Sequence, residues 1–133
     1  VAGAKTHGLR MGKKLNVAGA YHSRLMQSAQ DKLAAVMQEA SIDAPRIPVV
    51  CNYAAVPVAT PDEVKSMAIK QVTGSVRWTD SMHFLLQQGH TRFIELGPGS
   101  VLKGFMSRID KTVEVLTVED IASLEASAKI ING

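Results

Sequence analysis

Cysteine is almost absent from this sequence, aromatic residues are scarce, and no long apolar run occurs. The single cysteine, Cys51, excludes an internal disulfide and favours a reducing compartment, so we expect a cytoplasmic protein. Aromatic residues make up 5% of the chain, which argues against the aromatic-lined basic surface of a nucleic-acid binder. No stretch approaches the roughly 18 apolar residues of a membrane helix, so we expect no membrane span.

Metal-binding and hydrolase motifs are also missing. The four histidines, at positions 7, 22, 83 and 90, show no metal-ligand spacing with each other or with the cysteine, so we expect no metal site. No Gly-x-Ser-x-Gly segment is present, which is the turn that presents the nucleophile of hydrolase-like folds. The net charge of +3 includes a basic run near the start, formed by Lys5, Arg10, Lys13 and Lys14. Such a run is typical of a surface for an acidic protein partner and equally of a solvated face.

Hydrophobic residues make up 46% of the chain, which is enough to build a packed core. Their periodicity, together with glycine and proline breakers, divides the chain into alternating segments. The first nine residues look like the end of a helix. Strands are predicted at 13–18, 47–51 (short and buried), 92–96 and 113–118, and helices at 23–40, 60–71, 78–89, 101–109 and from 119 onward. This alternation favours an α/β fold with a mainly parallel sheet.

His22 lies between a predicted strand and the start of a predicted helix. Loops at the carboxyl ends of strands bind ligands in α/β folds, and an imidazole titrates near neutral pH, as a general base should. A histidine that only caps or packs locally is the alternative. Ser23 is adjacent to it, an arrangement that rarely aligns a nucleophile with its base. Spacing alone assigns no carboxylate to orient this histidine.

The segment Gly97-Pro98-Gly99-Ser100 links a predicted strand to a predicted helix. Glycines allow a tight turn and close approach of a ligand, and a helix N-terminus favours negative charge. The segment lacks the Gly-Lys-Ser/Thr ending of a phosphate-binding loop and the longer dinucleotide pattern. A structural turn is therefore favoured over a nucleotide site.

Several separated segments occur together in the order and spacing of one family. They are Gly-Ala-Tyr-His-Ser-Arg-Leu-Met at 19–26, Pro-Val-Val-Cys-Asn at 48–52, Lys-Gln-Val at 70–72, Val-Arg-Trp at 76–78 and Glu-Leu-Gly-Pro-Gly-Ser-Val-Leu at 95–102. With them the chain resembles the C-terminal part of malonyl-CoA:acyl carrier protein transacylases. One departure is Gly74-Ser75, where the family commonly has a proline before Val-Arg-Trp, and we expect a looser turn there.

The resemblance implies a two-part architecture. Residues 1–18 would be the last helix and strand of a ferredoxin-like small subdomain, and residues 19–133 the C-terminal part of an α/β-hydrolase-like large subdomain. The N-terminal half of the enzyme, with its oxyanion segment, serine elbow and malonyl-binding arginine, would then precede Val1. An exposed half-sheet would fold poorly alone, and a base without its nucleophile would be inactive.

The resemblance also implies ping-pong malonyl transfer in fatty acid biosynthesis, without a cofactor, from malonyl-CoA to the phosphopantetheine thiol of acyl carrier protein. His22 would be the general base, oriented by a backbone carbonyl at Gln71 rather than by a carboxylate. Tyr21 would disfavour an α-methyl group on the substrate. The other implied substrate-binding residues are Asn52, Gly97, Pro98, Gly99 and Val101.

Two other interpretations compete with this one. The first is an acyltransferase domain of a polyketide synthase, which the 71–78 stretch and the simple C-terminal end disfavour. The second is a non-catalytic module that docks acyl carrier protein through its basic face. Retention of His22, Gln71 and the Gly-Pro-Gly turn favours the enzyme. Charge reversal at Lys13 and Lys14 would abolish carrier-protein binding by a docking face and leave a solvated face unaffected.

Overall fold

The computed structural model describes residues 3–12 and 17–133. Two short 3-10 helices occupy Lys5–His7 and Arg24–Met26. The α-helices are α1 (Gln27–Glu39), α2 (Pro61–Lys70), α3 (Trp78–Gln87), α4 (Val101–Ile109) and α5 (Ile121–Asn132). The strands are β1 (Val49–Val50), β2 (Pro57–Val58), β3 (Arg92–Leu96) and β4 (Glu114–Val118). Residues 13–16 of the strand predicted at 13–18 lie outside the described part, so that strand and the boundary at residue 18 stay predictions.

The first long helix begins in two stages. Ser23 is the N-cap, as predicted, and its hydroxyl accepts a hydrogen bond from the Leu25 amide at 3.3 Å. The chain makes one 3-10 turn and then enters α1. The apolar face expected for the helix predicted at 23–40 is only partly covered, because Leu25 in the 3-10 turn and Val36 in α1 are 75% and 65% exposed.

The buried strand predicted at 47–51 is wrong in length and in environment. The structure shows only β1, which pairs antiparallel with the unpredicted β2, and Ile47 is 73% exposed. A tight turn explains the short pairing: the Ala55 amide donates to the Cys51 carbonyl at 2.8 Å, and the Cys51 amide to the Val56 carbonyl at 3.2 Å. Pro57 has no amide hydrogen with which to extend the ladder.

Local capping chemistry defines the start of α2, as predicted. The Thr60 hydroxyl accepts from the Glu63 amide at 3.2 Å, while the Glu63 carboxylate accepts from the amides of Ala59 and Thr60 at 2.8 and 3.0 Å. These hydrogen bonds hold the pKa of Glu63 below its ordinary value. Pro61 fills the first helical position, and Gln71 is the C-cap.

The C-terminal part is a parallel β-α-β unit, as the α/β prediction requires. β3 pairs in parallel with β4 through the whole of both strands, α4 connects them, and α5 packs against β4. Ala55, Val58, Met82 and Met106 are the buried hydrophobic residues of the described part. The other edge of β3 has no strand partner among the described residues. Among these residues, no helix is both long and apolar enough to cross a membrane.

Candidate active site

His22 lies in the loop before the first turn of helix and has an unusual backbone conformation. Its φ angle is +57°, in the left-handed region that few non-glycine residues occupy. The Ser23 hydroxyl spans this position, because it donates to the Ala20 carbonyl at 2.6 Å and accepts from the Leu25 amide. These two bonds hold the backbone on both sides of His22, and they stabilise a conformation of the kind that clusters at functional sites.

The imidazole of His22 meets the C-terminal end of α2. Its Nδ1 atom lies 2.9 Å from the backbone carbonyl oxygen of Gln71. The carbonyls just before it are engaged by the helix end, since those of Met67, Ile69 and Lys70 accept from backbone amides. The last carbonyls of a helix lack intrahelical partners, and His22 supplies a partner for the one at Gln71. The structure thus brings together the two residues predicted to interact, while their catalytic role stays a prediction.

This contact determines what the imidazole can do. A carbonyl oxygen only accepts hydrogen bonds, so Nδ1 must carry a proton, and in the neutral imidazole Nε2 then keeps its lone pair. Nε2 is therefore the atom that can take a proton from a substrate or nucleophile. The backbone carbonyl at the end of α2 thus orients the imidazole, which is one of the two things that a carboxylate does in other acid-base sites.

Asn52 and Gln71 line the same cavity. It has a volume of about 320 Å³ and is lined by apolar side chains of β1, β2 and α2. The Asn52 carbonyl accepts from the Arg77 amide at 2.8 Å, which ties the end of the β1 segment to the start of α3. Cys51 also lines this cavity, and burial raises the pKa of its thiol. Tyr21, next to His22, is 58% exposed and lies with its ring close to Gly19.

The Gly-Pro-Gly turn is held by carboxylates. Gly97 and Gly99 have φ angles of +125° and +86°, which only glycine adopts readily, and the Gly99 amide donates to Glu119 at 2.9 Å. The buried Glu95 carboxylate accepts from the amides of Leu102 and Lys103, both at 2.9 Å. Protein carboxylates thus already occupy the N-terminus of α4 where a phosphate would bind, which argues against the nucleotide site.

The predicted substrate-binding residues of this turn are not joined to the His22–Gln71 pair. Among the described residues, the amides of the turn donate to Val118 and Glu119, and neither bond reaches His22 or Gln71. Val101 is 63% exposed. The substrate-binding roles of Gly97, Pro98, Gly99 and Val101 stay predictions.

The turn after Gln71 is packed, and the looser turn expected at Gly74-Ser75, relative to the family, stays a prediction. The Gly74 amide donates to the Lys70 carbonyl at 3.0 Å. A Cβ atom at Gly74 would lie 2.4 Å from the ring of Tyr53, so the turn and this ring are in close contact.

Sequence reasoning missed several polar residues that shape the site. Thr73 donates to Gln30 across 43 residues, and no local pattern indicates such a pair. Glu95 had a usable signal, because an acid within an apolar strand requires buried partners.

The described residues contain no group of three or more His, Cys, Asp or Glu side chains arranged to hold a metal ion.

The chain is similar in sequence to known proteins. No protein-family profile matches the chain. It is 40% identical over 102 residues to the polyketide biosynthesis malonyl CoA-acyl carrier protein transacylase PksC of Bacillus subtilis, covering 77% of this chain and 35% of that protein. It is 31% identical over 128 residues to the malonyl CoA-acyl carrier protein transacylase of the same organism, covering 96% of this chain and 40% of that protein.

Solved structures agree with these relatives. An acyl carrier protein S-malonyltransferase from Vibrio cholerae superposes with a TM-score of 0.87 at 39% identity, covering 92% of this chain and 40% of that chain. The malonyl-transacylase solved in complex with its type II PKS acyl-carrier protein gives a TM-score of 0.90 at 32% identity, covering 95% and 41%. The chain spans about two fifths of the length of these proteins.

Proposed function

Because this chain belongs to the malonyl CoA-acyl carrier protein transacylase family, we propose that it provides the histidine of a malonyl transfer site. The complete enzyme would move malonyl from malonyl-CoA to the phosphopantetheine thiol of an acyl carrier protein. The contact between His22 Nδ1 and the Gln71 carbonyl is the observation that carries this proposal, because it leaves Nε2 free to act as a base.

The proposed reaction has two half-steps. His22 Nε2 takes the proton of a serine hydroxyl as the serine oxygen attacks the malonyl thioester carbon. The tetrahedral intermediate collapses, the carbon–sulfur bond breaks, and the imidazolium returns the proton to the leaving CoA thiolate. The carrier-protein thiol then attacks the malonyl-serine ester, with His22 taking the thiol proton and giving it back to the serine oxygen. The serine is proposed to lie in the part of the family's length that this chain does not span.

The exposed apolar surface supports the proposal that the site is completed by the part of the family's length that this chain does not span. Leu96 at the end of β3 is 77% exposed, and Ile94 on the same strand is 46% exposed. Large apolar side chains on an unpaired edge strand require cover in a stable fold. We therefore expect the 133 residues alone to transfer no malonyl.

A transfer assay tests the proposal. The completed enzyme is made by replacing the matching segment of the Vibrio cholerae malonyltransferase, of which the chain covers 40%, with these 133 residues. The expected result is malonylated carrier protein, detected by intact mass, from the completed enzyme but not from the chain alone. Carrier protein without its phosphopantetheine is the matched control and should stay unloaded. A folded completed enzyme that loads no malonyl would contradict the proposal.

Selectivity for the acyl group is assigned to Tyr21. It directly precedes the base in the sequence, and a bulky side chain there would crowd an α-methyl group on the substrate. Malonyl-CoA should therefore react faster than methylmalonyl-CoA. Tyr21→Ala should reduce the difference between the two rates. Equal rates for the two esters with the unchanged Tyr21 would contradict this role. Asn52, Gly97, Pro98, Gly99 and Val101 are proposed to line the path of the acyl group.

A polyketide pathway is the second candidate for the carrier protein. The identity to PksC, 40%, exceeds the 31% to the Bacillus subtilis transacylase, although the match is shorter. Parallel assays with a fatty-acid and a polyketide carrier protein would separate the two, since the cognate carrier should give the higher kcat/KM. The single cysteine supports a cytoplasmic location for either pathway.

A further inference from the structure

A second hydrogen bond joins the two segments that carry His22 and Gln71. The Thr73 hydroxyl donates to the side-chain oxygen of Gln30 at 2.6 Å. Both side chains are half-buried, whereas most side-chain hydrogen bonds among the described residues are exposed. A hydrogen bond shielded from water is stronger than an exposed one.

The two hydrogen bonds close a ring. Gln30 lies in the first turn of α1, which follows His22 after a short 3-10 turn. Thr73 lies two residues beyond Gln71, in the turn that ends α2. One hydrogen bond fixes a distance but leaves the two segments free to pivot. A second bond at a separate point also fixes their relative orientation.

Neighbouring contacts hold both ends of this ring. On the His22 side, the Ser23 hydroxyl fixes the backbone through Ala20 and Leu25. On the other side, the Gly74 amide bonds to the Lys70 carbonyl and keeps the turn closed on α2. The helices α1 and α2 pack directly against each other. Together with the His22–Gln71 contact, the Gln30–Thr73 bond links these two supported segments.

We propose that Thr73 and Gln30 are positioning residues, whose hydrogen bond holds the Gln71 carbonyl at His22 Nδ1 and so maintains the tautomer with a free Nε2. Neither residue has to touch the substrate. Their role in transfer rests on the proposed function, but the effect on the imidazole can be measured without any substrate.

Isosteric substitutions separate the hydrogen bond from the packing. Thr73→Val removes the hydroxyl and keeps the shape, whereas Thr73→Ser keeps the hydroxyl. Gln30→Met removes the acceptor from the other side, whereas Gln30→Glu keeps an acceptor oxygen. The matched control on the same helix is Gln27→Met, which removes an exposed bond to Asp31. A second control is Thr112→Val, which removes a hydroxyl that bonds only to Asp110.

The main readout is the tautomer of His22 in the completed enzyme, measured by ¹⁵N NMR of the imidazole. The unchanged enzyme should show a protonated Nδ1. Thr73→Val and Gln30→Met should each shift the tautomer ratio several-fold toward a protonated Nε2. They should also lower kcat about tenfold to a hundredfold with little change in KM, because a misoriented base affects the chemical step. Thr73→Ser and both control variants should behave like the unchanged enzyme.

The double variant adds a test of coupling. If the two residues act through one bond, Thr73→Val combined with Gln30→Met should be no worse than either substitution alone. An unchanged tautomer in folded Thr73→Val and Gln30→Met would overturn the positioning role, even if activity fell. Loss of folding in both variants would make the pair a structural brace and would overturn it as well. A tautomer shift together with full activity of His22→Ala would sustain the positioning role and refute the proposed function.

Discussion

The His22 imidazole is held by a backbone atom of Gln71, 49 residues further along the chain, at 2.9 Å. The contact exists because α2 ends where it does, leaving the Gln71 carbonyl free to accept. A helix end gives a weaker electrostatic partner than a carboxylate, but one that no side-chain substitution can remove directly. The position of the α2 terminus therefore controls the histidine, and the predictions below concern what holds that terminus and the rest of the fold in place.

Gly74 should be essential to the turn that follows Gln71. Its missing Cβ would lie 2.4 Å from the Tyr53 ring and 2.9 Å from the Lys70 carbonyl. Gly74→Ala should lower the free energy of unfolding by about 1–3 kcal/mol, as overpacking does, measured by denaturant unfolding of the completed enzyme. Gly104→Ala is the matched control: it meets no atom within 4 Å and lies inside α4, so it should stabilise by about 0.5–1 kcal/mol. If the contact with the Tyr53 ring causes the loss of stability, Gly74→Ala should cost less in a Tyr53→Ala background. Strictly additive costs of the two substitutions would refute this cause.

Glu63 should make stability depend on pH in the acid range. Hydrogen bonds from Ala59 and Thr60 lower its pKa below the ordinary value of 4.5. Because the folded state holds the carboxylate more strongly than the unfolded state does, this stabilisation is present above pH 4.5 and is lost as the pH falls through the lower folded value. Glu63→Gln should flatten the unfolding free energy over that window. An unchanged slope in Glu63→Gln would contradict the capping contribution.

Glu95 should stabilise the fold more than the other glutamate of the parallel pair of strands. It is buried and accepts from two amides at the start of α4, whereas Glu114 makes an exposed ion pair with Arg92. Glu95→Ala should cost about 1–3 kcal/mol, since two amides lose their acceptor. Glu114→Ala should cost less than about 1 kcal/mol. Equal costs in urea unfolding of the completed enzyme would show that the carboxylate does not cap α4.

Local chemistry explains which elements the sequence predicted well. Thr60, Pro61 and Glu63 form a capping signal that acts within four residues, and α2 starts where they indicate. The strand at 92–96 and the helix at 101–109 likewise follow from apolar spacing and the glycine turn between them. The α/β class and the parallel pair β3–β4 are confirmed.

Features that depend on distant partners were harder to predict. The apolar run at 47–51 indicated burial, but burial requires residues that cover it, and Ile47 has little such cover in the described part. The acceptor for His22 is a main-chain oxygen, which side-chain patterns do not reveal; only the family resemblance indicated it. The Gln30–Thr73 bond joins residues 43 apart and is visible only in the folded chain.

The most direct test of the central claim is the malonyl transfer rate of the completed enzyme with His22→Ala. The matched control is His83→Ala, which removes another exposed histidine, on α3. Loss of the general base should lower kcat by about 10²–10⁴-fold. The kcat of the His83→Ala control and the unfolding temperatures of both variants should stay unchanged. Transfer by the His22→Ala enzyme at the unchanged rate would contradict the account.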